Sequence, residues 1–222
     1  MDLSKLYMGK TFKRPRNEEE LKQLEASGLW KAQTLAKNIG ESKEKITLEV
    51  ILRIHKVFLE NAYPEIAGKF RMLGQDIKKL KCMIPPPGIA VQEEMYKFWR
   101  ELDVRLSKIP PMPKGKKISK TSLRKRNEEV ISLAAWIQYQ ITRIHPFCEG
   151  NGRMARLMTN LILWRYKFLP TDIKYEGENK QKYLQSLCKI DYNNDYRMLI
   201  QLIVRGMTAS YKKLIKAKKQ KP

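Results

Sequence analysis

The run His145-Pro-Phe-Cys-Glu-Gly-Asn-Gly-Arg-Met-Ala-Arg156 gathers a base, a carboxylate, a glycine-flanked turn and two arginines. Together these groups can handle a nucleoside triphosphate. Arg153 and Arg156 lie three residues apart, share a helix face and can fork onto phosphate oxygens. Glu149 supplies the hard oxygen that Mg2+ takes when it also holds phosphates. His145, with an ordinary imidazole pKa near ~6.5, suits general-base work.

The elements that must position these groups can be read from the flanks. Pro146 lacks the amide that would continue a helix and restricts the residue before it, so His145 is presented at a helix end. Gly150-Asn151-Gly152 admits unusual dihedrals and close approach of a ligand to the main chain. From Arg153 a new helix is expected, with Leu157, Leu161, Ile162, Trp164 and Phe168 as its apolar set, and its N-terminus offers free amides to an anion. Upstream, Val130, Ala134, Ile137, Ile141 and Ile144 form a helical stripe leading into the run; Leu199, Leu202, Ile203 and Met207 form another. The stretch Phe70 to Ile84 reads as the one strand pair, and Ile109 to Lys120 as a long loop.

The run resembles the signature of the Fic (filamentation induced by cAMP) family, His-Pro-Phe-x-(Asp or Glu)-Gly-Asn-Gly-Arg-x-x-Arg, with every specified position met. Residues 46–55 look like that family's early core helix, Ala67 to Arg71 and the stretch to Pro85-Pro-Pro87 like its flap, and Tyr183 to Ile190 like the helix closing the adenine side. The similarity covers roughly residues 30 to 205. It implies an all-α, Fic-type helical bundle with a small β-hairpin flap over the active site. It also implies protein adenylyltransferase activity: transfer of AMP from ATP to a Ser, Thr or Tyr hydroxyl of a target protein, with Mg2+ as cofactor. On that resemblance His145 is the catalytic base and Glu149 the Mg2+ ligand. Gly150, Asn151, Gly152, Arg153 and Arg156 hold the phosphates, and Tyr183, Leu184 and Asp191 stand at the base pocket. Lys81, Cys82 and Met83 form the flap edge on which a target segment docks as an added strand. A Lys at position 152 would go with terminal phosphate transfer; Gly152 favours AMP transfer. The alternatives are transfer of another nucleotide or phosphate-linked group, and a catalytically vestigial basic binding protein.

Other readings of the same residues are weaker. A Cys148 nucleophile paired with His145 leaves Glu149, Arg153 and Arg156 unexplained. His55 lies among Leu48, Ile51, Leu52, Phe58 and Leu59, where a packed, hydrogen-bonded role is expected. Two histidines and no Cys-x-x-Cys or His-Glu-x-x-His argue against a protein zinc site. Regulation departs from the family pattern: the inhibitory helix motif, whose glutamate pairs with the second signature arginine, is not intact. Gly40 stands where that glutamate would fall and Glu41 one place late, about 100° around a helix. Arg156 is then restrained by a separate inhibitory protein, by a shifted Glu41 or Glu44, or not at all.

Composition sets the frame. The chain has 222 residues, 45 basic against 23 acidic and a net charge of +22. One core domain is expected over 46–208, with an N-terminal helical extension at 1–45 and a basic tail at 209–222. The charge could draw nucleic acid, an acidic surface or an acidic partner, but equally suits a lysine-rich bias, and no nucleic-acid module accompanies it. There is no transmembrane stretch and no signal-peptide core, and Cys82, Cys148 and Cys188 are odd in number and scattered. A cytoplasmic protein is expected, or a secreted effector without a cleaved signal.

Overall fold

Each helix begins and ends where local chemistry dictates. In the computed structural model, which describes residues 15, 17–75, 77, 82–112 and 119–219, seven helices follow one another. α1 (Glu18–Ser42) opens on Asn17, whose Oδ1 accepts the Glu20 amide at 2.8 Å, with Glu18, Glu19 and Glu20 on the positive end of the dipole. α2 (Leu48–Leu59) is capped by Thr47. α3 (Val91–Lys108) and α4 (Lys120–Ile144) follow, then α5 (Asn151–Arg165), α6 (Gly177–Asn193) and α7 (Arg197–Lys219).

The expected stripes pack as expected. Val130, Ala134, Ile137, Ile141 and Ile144 of α4 are fully buried, and Leu199, Ile203 and Met207 of α7 join the same core. α5 lies against α4 on one side and α1 on the other, which makes it the central helix of the site. It ends at Arg165, so Phe168 packs from the loop beyond rather than from the helix. Of the loop predicted between α3 and α4, residues 109–112 and 119 are outside any helix, and 113–118 lie outside the described residues. The strand pair read over Phe70 to Ile84 does not appear among the described residues, where turns and irregular chain surround an isolated bridge at Met83. No described helix is long and apolar enough to cross a membrane.

Two glycines bring α1 close to its neighbours. A Cβ on Gly28 would lie 2.0 Å from the Phe58 carbonyl oxygen of α2, and one on Gly40 would lie 2.6 Å from the Leu161 carbonyl oxygen of α5. Position 40 therefore faces backbone, and no glutamate fits there. The register these glycines set delivers the first turns of α1 to the first turn of α5. Gly28→Ala should lower the chemical denaturation midpoint by an amount equivalent to about 1–3 kcal/mol despite alanine's better helix propensity. An unchanged or higher midpoint would mean that α1 does not pack on α2 this closely.

Candidate active site

The end of α4 and the start of α5 are two left-handed turns apart. His145 caps α4 at φ 51°, its amide bonded to the Ile141 carbonyl, and Gly150 opens α5 at φ 81°. A Cβ at 150 would meet the Phe58 ring at 2.7 Å, so both backbone angle and space require glycine. The turn between them is folded by Asn151, which is buried: its Oδ1 accepts the Phe147 amide at 2.9 Å and its Nδ2 donates to the Phe147 carbonyl at 2.7 Å. Phe147 is sealed in the core, stacked on His55 with 3.7 Å between ring centroids.

His55 has the structural role expected of it. The Gly68 amide donates to Nδ1 at 3.0 Å, which leaves the proton on Nε2 to donate to the Glu149 carbonyl at 3.1 Å. Burial pulls its pKa down to about 4, so the ring is neutral near pH 7.

Arg71 fixes the other flank. Its guanidinium, 1% exposed, donates from Nε to the His145 carbonyl at 2.7 Å and from Nη2 to Pro86 at 2.6 Å and Ile144 at 3.2 Å. Its own amide bonds to the Pro146 carbonyl. In the sequence Arg71 stands only as the last residue of the flap-like segment Ala67 to Arg71. Its partners at Ile144 and His145 lie more than seventy positions away, so no local signal marks it.

Above the loop lies a cavity of about 420 Å3, lined by His145, Cys148, Glu149, Gly150, Asn151, Gly152, Arg153 and Arg156 from the signature. Thr142, Cys82, Met83, Tyr175, Tyr183, Leu184 and Leu187 complete its wall. The signature residues are thus brought together, as are Tyr183 and Leu184. Asp191 is not: it accepts the Tyr139 hydroxyl at 2.8 Å, away from this wall. Residue 191 lies eight positions beyond Tyr183, about 12 Å along α6. Tyr175 and Leu187 take the places that sequence reasoning missed; a lone tyrosine in a loop carries no spacing signal.

Of the residues expected at the flap edge, two are described. Lys81 lies outside the described residues. Met83 is 2% exposed and Cys82 is joined to Cys188 of α6, and both line the cavity. The cysteines scattered in sequence are thus paired in space across 106 positions, and Cys148 alone is free. Burial raises the Cys148 thiol, which counts against a nucleophile there.

The charges divide clearly. Arg153 forks onto Glu25 of α1 at 2.8 and 3.1 Å, reaches Glu149 at 3.3 Å and lies over the Phe58 ring. Burial opposes its charge, but Glu25 and Glu149 outweigh it and hold its pKa above the ordinary value. Arg156 forms no salt bridge among the described residues; it rests over Tyr175, and burial lowers its pKa although Tyr183, Tyr175 and Asp172 favour its charge. Glu44 is engaged with Arg53 at 2.6 Å and Glu41 is exposed at the far end of α1, so neither reaches Arg156. Burial likewise lowers His145, with Arg71 adding to it and the Thr142 carbonyl and Glu149 opposing, which leaves a neutral imidazole near pH 7. At Gly152 a Cβ would meet only the Arg156 guanidinium, at 3.6 Å. The fold does not need glycine there, which leaves the open space to a ligand.

Against known families, the Fic/DOC model matches residues 45–163, more than half of the chain. The chain belongs to the Fic/DOC family. The protein adenylyltransferase Fic of Nematostella vectensis is 30% identical over 165 residues, covering 74% of this chain and 33% of its own length. Protein adenylyltransferase fic-1 of Caenorhabditis elegans is 26% identical over 181 residues, covering 82% and 31%. The chain thus spans about a third of these relatives. Among solved structures, Fic-1 from C. elegans matches with a TM-score of 0.67 at 24% identity, covering 98% of this chain and 56% of that one. A Fic domain containing signaling protein from Bacteroides thetaiotaomicron gives 0.70 at 20%, covering 99% and 80%. BepC from Bartonella tribocorum, solved with AMPPNP bound, gives 0.60 at 15%, covering 93% and 97%. These likenesses confirm the all-α Fic-type architecture.

Because the folded pKa of His55 lies below its unfolded value, the neutral ring's contribution is complete above pH ~6.5. It is lost as the pH falls towards about 4. The gap is on the order of 3 kcal/mol. Urea midpoints should therefore fall more steeply between pH 7 and 4.5 in the native sequence than in His55→Gln, which cannot titrate. Parallel profiles would exclude His55 as the source.

Proposed function

We propose that this chain is a protein adenylyltransferase that transfers AMP from ATP to a hydroxyl of a target protein and releases pyrophosphate. The convergence of a neutral His145, the bare Gly152 and the uncontested Arg156 on one cavity carries this reading. The names of the relatives over three quarters of the chain support it.

The α-phosphate would lie at the first turn of α5, where free amides face an anion without reorganising. His145 Nε2 accepts the proton of the target hydroxyl as its oxygen attacks the α-phosphorus. The bond from that phosphorus to the bridging oxygen breaks on the opposite side, and pyrophosphate leaves. Arg153 and Arg156 neutralise the β- and γ-phosphates. Arg153 is oriented for this by Glu25, whereas Arg156 can move onto the phosphate without breaking an ion pair.

Mg2+ fits the residues present. Glu149 offers one carboxylate, with the Gly150 and Arg153 donors both on Oε1. No group of three or more His, Cys, Asp or Glu capable of holding a metal occurs among the described residues. An ion bound through one carboxylate plus substrate phosphates is the usual arrangement for Mg2+. When bound it would supply charge neutralisation on the departing pyrophosphate. The adenine would sit between Tyr183, Leu184 and Leu187, where the buried Tyr183 hydroxyl lacks a partner among the described residues.

Incubation with α-labelled ATP, Mg2+ and cell lysate should label protein bands with the native chain. His145→Ala should reduce that labelling by at least about a hundredfold, the scale of general-base catalysis. Label arriving from γ-labelled ATP instead, or labelling unchanged in the variant, would contradict the proposal.

A further inference from the structure

A second cavity, of about 640 Å3, opens on the opposite end of α5, between its C-terminus, the start of α4 and the loop after α3. Its cations are Lys43, Arg126, Arg165 and Lys167, and no carboxylate lines it. Three of these have an ordinary explanation. Lys43 caps the C-terminus of α1, and Arg165 and Lys167 sit at the end of α5, where the helix dipole favours positive charge.

Arg126 does not share that explanation. It sits in the second turn of α4, whose opening Lys120-Thr-Ser-Leu-Arg-Lys-Arg126 carries four cations and no acidic residue at the positive end of the dipole. It is only 7% exposed, its Nε meets no acceptor, and no carboxylate pairs with it among the described residues. The Tyr166 ring, 5.2 Å from the guanidinium carbon, offsets part of the burial cost but accepts no guanidinium hydrogen bond in the ring plane. A buried arginine without a counter-ion among the described residues, in a helix start that repels it and on a cavity wall with three further cations, is a setting that an anion would stabilise.

We propose that this cavity binds a small phosphate-bearing ligand, with Arg126 as its buried anchor. Arg165 and Lys167 form the rim, and Tyr166 and Phe168 make an apolar wall for the ligand's body. The volume suits a metabolite rather than a bare ion. The site lies behind the catalytic cavity and shares none of its lining residues, so it does not depend on the adenylyltransferase reading.

Inorganic pyrophosphate, titrated calorimetrically into the full chain, tests this directly. Two binding events are expected, one lost in Arg156→Ala and the other weakened at least about tenfold in Arg126→Gln and in Lys167→Glu. Lys167 is exposed, so its variant decides the matter even where Arg126→Gln is poorly folded. If Arg156→Ala abolishes all binding, or if neither Arg126→Gln nor Lys167→Glu changes any event, the proposal is wrong. If instead Arg156→Ala alters nothing while the two cavity variants remove binding, this site stands and the catalytic assignment fails.

Discussion

The arrangement depends on the buried guanidinium of Arg71. A charge removed from water is tolerable only where acceptors surround it, and here main-chain carbonyls from Ile144, His145 and Pro86 do so. Those carbonyls belong to the end of α4, to His145 and to the proline segment beside Met83. One side chain thus sets the spacing between the signature loop and the wall facing it. Removing it would leave several buried carbonyls without donors, a larger loss than a typical hydrogen bond's net worth.

From that anchor the site is built outward by packing rather than by flexible loops. His55 and Asn151 satisfy the main chain of the turn from both sides, and Phe147 and Phe58 fill the space under it. Glu25 then reaches Arg153 because Gly28 lets α1 touch the backbone of α2. Arg153 is held by Glu25, and Arg156 forms no salt bridge among the described residues, so two identical side chains three residues apart differ in how firmly they are held. The disulfide between Cys82 and Cys188 ties the opposite wall to α6.

Much of this could be read from residue order because it is local. The signature run, the stripe of α4 and the helix stop at Pro146 all rest on spacing within a few turns, and they survive in the structure. What could not be read is long-range. Arg71 meets residues more than seventy positions away, Glu25 meets Arg153 across 128, and the Cys82 pairing spans 106. No local period encodes such contacts. Asp191 failed for a related reason: matching a helix by resemblance does not set which turn faces the cavity, and Tyr175 was invisible because loops have no period at all. Gly40, noted only as a missing glutamate, proves to be required by the α1–α5 contact.

On the proposed reading, the loop after His145 binds a nucleoside triphosphate through Arg156 and uses His145 only for chemistry. Calorimetric titration of a non-hydrolysable ATP analogue with Mg2+ separates these roles most directly. Equal affinity is expected for the native chain and His145→Ala, with a loss of at least about tenfold in Arg156→Ala. Equal affinity in all three proteins, or AMP binding as tightly as the triphosphate, would contradict it.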